Sequence, residues 1–83
     1  MVIYMLRNLR EYIAPDELKI TMTMDKVNIL NYDRLRDITD KEISFSKNNK
    51  KVKVVGKDLK LNKLLDQEVL IIGNIKKVEI DNG

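Results

Sequence analysis

The sequence predicts an all-β fold: a small antiparallel meander closed into a barrel or sandwich, with a short N-terminal amphipathic helix. Apolar residues alternate with polar ones in residues 51–54 and 59–62, which is the period-two pattern of strands with one wet face. About seven apolar segments follow one another, separated by turn-forming residues. We treat residues 1–83 as one domain, with the helix at residues 2–13 and the β region at residues 18–81.

The N-terminal segment predicts the helix, because its apolar residues recur at steps of three and four and share one helix face. Pro15 ends it, since a proline pushes the preceding residue out of the helical region. The apolar stripe can cap the domain's own core, dock on a partner subunit or lie on a membrane surface. The membrane ranks third, because Arg7 and Arg10 stand beside Glu11 without strong aromatic anchors. This candidate interaction surface comprises Met5, Leu6, Leu9, Tyr12 and Ile13.

The first strands follow the proline. Residues 18–24 predict a half-buried strand whose even-numbered apolar residues, up to Met24, share the inner face. A turn at Asp25 leads to a second strand at residues 27–29. After a further turn rich in Asn and Asp, residues 35–38 form a short strand with a weak pattern.

The next two strands form a predicted hairpin. Ile43 and Phe45 alternate with serines, and the asparagine-containing turn at residues 47–50 joins this strand to Val52 and Val54. Asparagine tolerates the left-handed backbone that such a turn requires. We expect Val52, Val54, Leu59 and Leu61 to point inward and Lys51, Lys53 and Lys60 to point to solvent.

The two glycines of the second half mark places where strands stop or bend. Gly56 predicts a bulge or corner, and Gly73 leads into a last strand at residues 75–80. One or both should have a positive φ or a backbone too crowded for a Cβ.

The remaining segments of the second half are a connection and an apolar run. The connection at residues 62–67 contains Leu64 and Leu65, one of which should fill the core. Residues 69–72 are apolar on both faces and predict a central strand, or one covered by the helix.

Composition excludes several kinds of site. The chain has no cysteine and no histidine, which removes disulfides, thiolate metal sites and imidazole ligands. The only acidic cluster lacks the spacing and central glycine of a calcium loop, and we expect it to be a solvated turn; it consists of Asp33, Asp37, Asp40 and Glu42. We therefore expect no enzymatic activity, no catalytic residues, no cofactor and no metal.

Positive charge is concentrated in residues 47–63, which contain seven lysines and one aspartate although the whole chain carries only +3. This surface could hold nucleic acid, anionic lipid or an acidic protein. The alternative, which we favour, is a solvated sheet face whose lysines protect an edge from aggregation. Aromatic side chains on which nucleic-acid bases could stack are missing, since the nearby Phe45 is on the core-facing side of its strand. The candidate basic patch comprises Lys51, Lys53, Lys57, Lys60 and Lys63.

A resemblance adds an expectation about biological process. Residues 54–61 have the pattern V-x-G-K-D-L-x-L and are followed by Leu64, by E-V-L-I-I-G-N-I at residues 68–75 and by V-E-I at residues 78–80. This order of features resembles the YabP/YqfC family of sporulation proteins. The first half is similar to the YqfC-like branch, with I-T-M at residues 20–22.

The resemblance covers roughly residues 6–81. The chain departs from the branch at residues 25–26, which lack its Gly-Asn, and in having lysine-rich rather than arginine-rich turns. The family implies a bacterial protein of endospore formation, acting in the mother-cell cytoplasm or at the forespore surface, and it implies no catalytic residues. A cytoplasmic address also agrees with the lack of an uncharged apolar run of about 18 residues and of a secretory signal.

We therefore expect a non-enzymatic protein-interaction or assembly module in sporulation. Self-association and a second sporulation protein are the expected partners, because a small core without disulfide or metal has little stability to spare. The alternatives are a small nucleic-acid-binding β-barrel that uses the lysines of residues 47–63, and a peripheral membrane adaptor at the forespore surface.

Overall fold

The computed structural model describes residues 2–5, 10–13 and 17–81, and its secondary structure in these ranges consists of β-strands and connecting turns. The all-β prediction is confirmed for this part of the chain. The strands are β1 (Val2–Met5), β2 (Arg10–Ile13), β3 (Lys19–Met22), β4 (Lys26–Leu30), β5 (Arg34–Ile38), β6 (Glu42–Lys47), β7 (Lys50–Leu65) and β8 (Glu68–Asp81).

Paired strands run antiparallel, in the order β2-β3-β4-β8-β7-β6-β5, and β1 pairs with β8. Strands β5 to β8 form the predicted meander. Strand β4, however, pairs with β8, so the chain crosses from β4 to the far edge of the sheet before β5 begins. Strands β2 and β5, at the two ends of the order, do not pair with each other in the described residues. The expected closure into a barrel is therefore wrong, because the sheet stays open between these ends.

The two longest strands hold the sheet together. Strand β7 pairs with β8 from Lys51 opposite Asp81 to Leu65 opposite Glu68, with register shifts at three places. Strand β6 pairs only with the first part of β7, up to Val55. Strand β4 pairs with the first part of β8, whereas β1 pairs with its last part. Strand β7 thus connects the sheet to β6, and β8 connects it to β4 and β1. Residues from both sides of this central pair belong to one core.

The core contains side chains from all the strands between β3 and β8 except β5, together with two residues from connecting segments. Leu35 of β5 and Leu61 of β7 are partly buried against it. The ring centroid of Tyr32, in the β4–β5 connection, lies 5.0 Å from that of Phe45 on β6. The buried apolar residues are Leu18, Ile20, Met22, Val27, Ile29, Tyr32, Ile43, Phe45, Val52, Val54, Leu59, Val69, Ile71, Ile75, Val78 and Ile80.

The alternation predicted for β7 is confirmed. Val52, Val54 and Leu59 are buried. Leu61 is half-buried on the same side of the strand. Of the lysines between them, Lys51 and Lys60 are exposed and Lys53 is half-buried.

Both glycine predictions are confirmed. A Cβ on Gly56 would collide with the backbone carbonyl oxygen of Asn74, and the register of β7 shifts at this point. Gly73 has φ +142°, and a Cβ there would lie 2.7 Å from the carbonyl oxygen of Asp58. The glycines allow β7 and β8 to pass close to each other where both strands change register.

Two turns complete the hydrogen bonding at this corner. The Gly56 amide donates to the Lys41 carbonyl at 3.0 Å, from the turn between β5 and β6. The Gly73 amide donates to the Asp25 carbonyl at 3.1 Å, from the turn between β3 and β4. The first bond extends the pairing of β6 with β7 by one residue, and the second does the same for β4 and β8.

The N-terminal helix expected over residues 2–13 contains no helical residue in its described parts. Val2–Met5 pairs with the end of β8, and Arg10–Ile13 pairs with β3. A helical spacing of apolar residues competes here with two free sheet positions, and each segment gains one strand partner for its backbone hydrogen bonds, β8 for Val2–Met5 and β3 for Arg10–Ile13. Residues 6–9 lie outside the described residues, so that part of the helix stays a prediction.

Three finer predictions are corrected. Met24 is 60% exposed, because β3 ends at Met22 and Met24 lies in the turn. The connection expected at residues 62–67 is mostly strand, because β7 continues to Leu65. Leu64 and Leu65 are 54% and 49% exposed, so neither fills the core, where Tyr32 lies instead.

Strand β8 also runs further than expected. It continues from Glu68 to Asp81 through Gly73, which bends it rather than ending it. The central position expected for residues 69–72 is confirmed, since this part of β8 pairs with β4 on one side and β7 on the other.

Candidate binding surface

The predicted basic patch divides into two halves along β7. In the first half, Lys51 lies opposite Asp81 and Lys53 lies opposite Glu79. Opposite charges in directly facing positions attract, so these lysines have carboxylates as neighbours. Glu79 also forms an ion pair with Lys77, with 2.9 Å between Nζ and Oε1. In this half of the patch, both lysines therefore have a carboxylate directly across from them on β8.

The second half of the patch faces neutral residues. Lys57 lies opposite Asn74, at the corner. Lys60 lies opposite Ile72, and the other neighbour of Ile72 across the sheet is Lys26 of β4. These lysines are exposed, as is Lys63, which lies opposite Leu70 on β8. The second part of β7 thus carries three lysines and one aspartate, Asp58, and none of these lysines faces a carboxylate across β8, which the charge count of residues 47–63 could not distinguish.

The second part of β7 is also an edge of the sheet. Beyond Gly56, strand β8 is the only described strand that pairs with it, because β6 has ended at the corner. On its other side, the Leu59 amide donates to the Asp40 carbonyl at 2.8 Å, and the Leu65 carbonyl accepts from the Tyr32 hydroxyl at 3.4 Å. Between these two contacts the backbone of residues 60–64 forms a free sheet edge within the described structure.

Strand β5 forms a second edge nearby. The chain from Tyr32 to Asp40, which includes β5, is attached to the β7 edge at both of its ends by the two contacts above. A bulge between Leu35 and Asp37 leaves Leu35 opposite the buried Phe45, and Ile38 opposite the buried Ile43. Both apolar residues therefore lie on the core-facing side of β5, and Ile38 is 54% exposed.

Sequence reasoning missed this pair of edges. The Leu64-Leu65 pair was expected to supply a core residue, whereas it lies at an unpaired strand edge. Ile38 belongs to the strand with the weakest pattern. The spacing of Leu35 and Ile38 was the signal that could have revealed this face of β5. Two apolar residues three positions apart share one face of a strand only if a bulge lies between them.

The predicted apolar stripe is not one continuous helical face in the described residues. Met5 lies on β1 opposite Val78, and Tyr12 lies on β2 opposite Ile20. Ile13, opposite Lys19, is 61% exposed. Leu6 and Leu9 lie outside the described residues. The structure thus separates Met5 from Tyr12 and Ile13, placing them on different strands.

The acidic residues between β4 and β6 have separate structural contacts. Asp33 accepts a 2.8 Å hydrogen bond from the Asn48 amide and a 3.4 Å contact from the Lys47 ammonium group. Asp37 accepts a 3.1 Å hydrogen bond from the buried Ser44 hydroxyl. The described residues contain no cluster of three or more acidic side chains that could hold a metal ion.

Tyr32 joins the core to the end of the β7 edge. Burial raises the pKa of its hydroxyl above the ordinary value, and the nearby Asp66 carboxylate raises it further. The neutral hydroxyl donates to the Leu65 carbonyl. No pocket is present in the described part of the molecule, so these residues form an open edge and not a concave small-molecule site.

Comparison of the chain with protein-family models, with curated proteins and with solved structures finds no significant match. Within the described ranges there is also no helix of the length and apolar character needed to span a membrane.

Proposed function

We propose that this protein is a non-enzymatic interaction or assembly module that acts during endospore formation in the mother cell. The observation that supports the interaction role is the free edge of β7. Its Leu64 and Leu65 are about half exposed, next to a backbone that lacks a strand partner in the described residues. Lys60, Lys63 and the register shift between Leu61 and Lys63 give this edge part of the protection usual in small domains, but the two leucines stay exposed. An edge with exposed leucines is the kind of surface on which a second strand docks.

The sporulation part of the proposal comes from the resemblance to the YabP/YqfC family. The residues that carry the resemblance, 54–61 and 68–75, belong to β7 and β8 and include both corner glycines. These residues have clear structural roles, so they support a shared fold more directly than a shared partner. Self-association and a second sporulation protein remain the proposed partners, in the mother-cell cytoplasm or at the forespore surface.

Deletion of the gene in its source bacterium tests the process. We expect normal vegetative growth and a lower yield of heat-resistant spores, restored by the wild-type gene. A core variant, Val54→Asp, should fail to restore the yield because it places a charge in the core. Lys76→Ala, at an exposed position of β8, is the matched control and should restore it. An unchanged spore yield in the deletion strain would contradict the proposal.

A further inference from the structure

The free edge of β7 offers a strand partner two kinds of side chain on its two faces. Leu61 lies opposite the buried Ile71 and is itself partly buried, and Leu64 lies opposite the buried Val69. Both therefore have core-facing parity, although Leu64 is 54% exposed. A strand added here would place every second side chain beside these leucines. Those positions of the added strand should be apolar.

The opposite face of the same edge is basic. Lys60 and Lys63 are exposed and lie opposite the uncharged Ile72 and Leu70, so they have no carboxylate as cross-strand neighbour on β8. Arg34 and Arg36 are exposed on the neighbouring β5 edge. The nearest acidic group on β5, Asp37, accepts the Ser44 hydroxyl at 3.1 Å. The outward positions of an added strand should therefore be acidic.

We propose that the β7 edge at residues 60–64 binds an extended segment of a partner protein in which apolar and acidic residues alternate. The segment would pair with β7 through main-chain hydrogen bonds, and its side chains would select for this alternation. This inference rests on the proposed interaction role. It adds the site of the interaction and the kind of partner segment that would bind there.

A second copy of this chain fits the same edge poorly. Antiparallel pairing of two β7 edges would bring Lys60 and Lys63 of both copies to the same outer face, and facing like charges are destabilising. The other alternative is that this edge binds no partner and that its lysines only protect it from aggregation. Lysines do guard edges, but the half-exposed Leu64 and Leu65 lie in the same stretch and work against such protection.

The test uses the full-length protein, labelled with nitrogen-15, and a short fluorescent peptide of alternating valine and glutamate. We expect amide shifts confined to β5, the second part of β7 and the β7–β8 turn, together with a saturable rise in fluorescence anisotropy. A peptide with lysine in place of glutamate should not bind. The same acidic peptide with N-methyl groups on alternate residues should bind much more weakly, because it lacks strand donors.

Two pairs of variants locate the site. Lys60→Glu combined with Lys63→Glu should weaken binding by about tenfold or more, since two attractive charge contacts become repulsive. Lys76→Glu, at an exposed position of β8 away from the edge, is the charge control and should leave affinity within about twofold. Leu64→Ser should also weaken binding, whereas Met24→Ser, at a similarly exposed methionine, should not.

Several outcomes would overturn the inference. These are an absence of amide shifts at saturating peptide, equal binding of the lysine peptide, and shifts located away from β5 and β7. A stable dimer in which the amides of residues 60–64 are protected would show that a second copy occupies the edge. Failure here with a normal spore phenotype of the deletion strain defeats both proposals. Failure here with a spore defect defeats only the assignment of this site.

Discussion

Single residues decide where the long strands of this domain bend. Gly56 and Gly73 lie on β7 and β8 at the corner where the pairing of the two strands changes register, and a Cβ on either would crowd a carbonyl oxygen of the other strand. At the other end of the core, Tyr32 brings a hydroxyl into an apolar region and gives it a carbonyl acceptor at Leu65. These positions are individually constrained because the backbone, and not only the side chain, is in close contact there.

The first prediction concerns the two glycines. Gly56→Ala and Gly73→Ala should each lower the free energy of unfolding by about 1 kcal/mol or more, Gly56 through collision with Asn74 and Gly73 also through its positive φ. Urea denaturation followed by circular dichroism measures the change. Lys76→Ala on the exposed side of β8 is the control and should have little effect. Stability equal to wild type for both glycine variants would show that the corner can relax.

The second prediction concerns the pH dependence contributed by Tyr32. Its pKa is raised from the ordinary 10.0 by burial and by Asp66, so the folded state favours the neutral hydroxyl. The resulting stability is fully present below the ordinary pKa and is lost as the pH rises through the raised pKa. Wild type should therefore lose more free energy of unfolding across this range than Tyr32→Phe does. Parallel curves for the two proteins would contradict the shift.

The elements are held in register by contacts outside the strands as well as within them. The β6–β7 hairpin turns at Asn48, whose φ of 53° is in the left-handed region that asparagine tolerates. Asp33, in the crossing that precedes β5, accepts the amide of this same residue. The hairpin is thereby linked to the crossing that carries the chain from one side of the sheet to the other.

The third prediction tests this link. Asp33→Ala removes the acceptor of the Asn48 amide and should lower the free energy of unfolding by about 1 kcal/mol. Asp33→Asn keeps an acceptor oxygen without the charge and should retain most of the stability. Denaturation of the three proteins in parallel measures both changes. If the alanine and asparagine variants lose the same stability, the charge contact with Lys47 matters more than the hydrogen bond.

At the scale of the whole molecule, the described strands leave a free edge at residues 60–64 of β7, a second edge at β5 and an uneven distribution of charge. The lysines of the first half of β7 face Glu79 and Asp81, and those of the second half do not. The aromatic rings of Tyr32 and Phe45 are buried in the core, on the opposite side of the sheet from the lysines. The proposed preference for a protein strand over nucleic acid rests on this arrangement.

The fourth prediction is that the domain does not bind nucleic acid tightly. Binding through phosphate contacts alone would fall steeply as salt releases counterions, and no stacking aromatic accompanies the lysines on the described face to offset this loss. A gel-shift experiment with single- and double-stranded DNA and RNA should show no retained complex at physiological salt. A complex that persists there and disappears when Lys51, Lys53 and Lys60 are changed to glutamate would instead support the nucleic-acid alternative.

The fifth prediction is self-association. The core is small and contains no disulfide, and edges or apolar residues that remain exposed are usual sites of association. Sedimentation velocity at micromolar concentration should give a dimer or a larger oligomer. Ile13→Asp should shift it toward the monomer if β2 forms the contact, with Lys76→Ala as the control. A stable wild-type monomer would contradict this prediction.

Local patterns in the sequence determined most strands, their inward and outward faces and the two glycine corners. Alternation in residues 51–54 and 59–62 suffices because a strand needs only its own period and one buried face. Only the tertiary structure decided which strands pair at a distance. The pairing of β4 with β8 and that of Val2–Met5 with the end of β8 depend on partners far along the chain, and the open edge at Leu64 depends on β6 ending at the corner. Local periodicity carries no information on such partners, so the candidate site emerged from the pairing of distant strands.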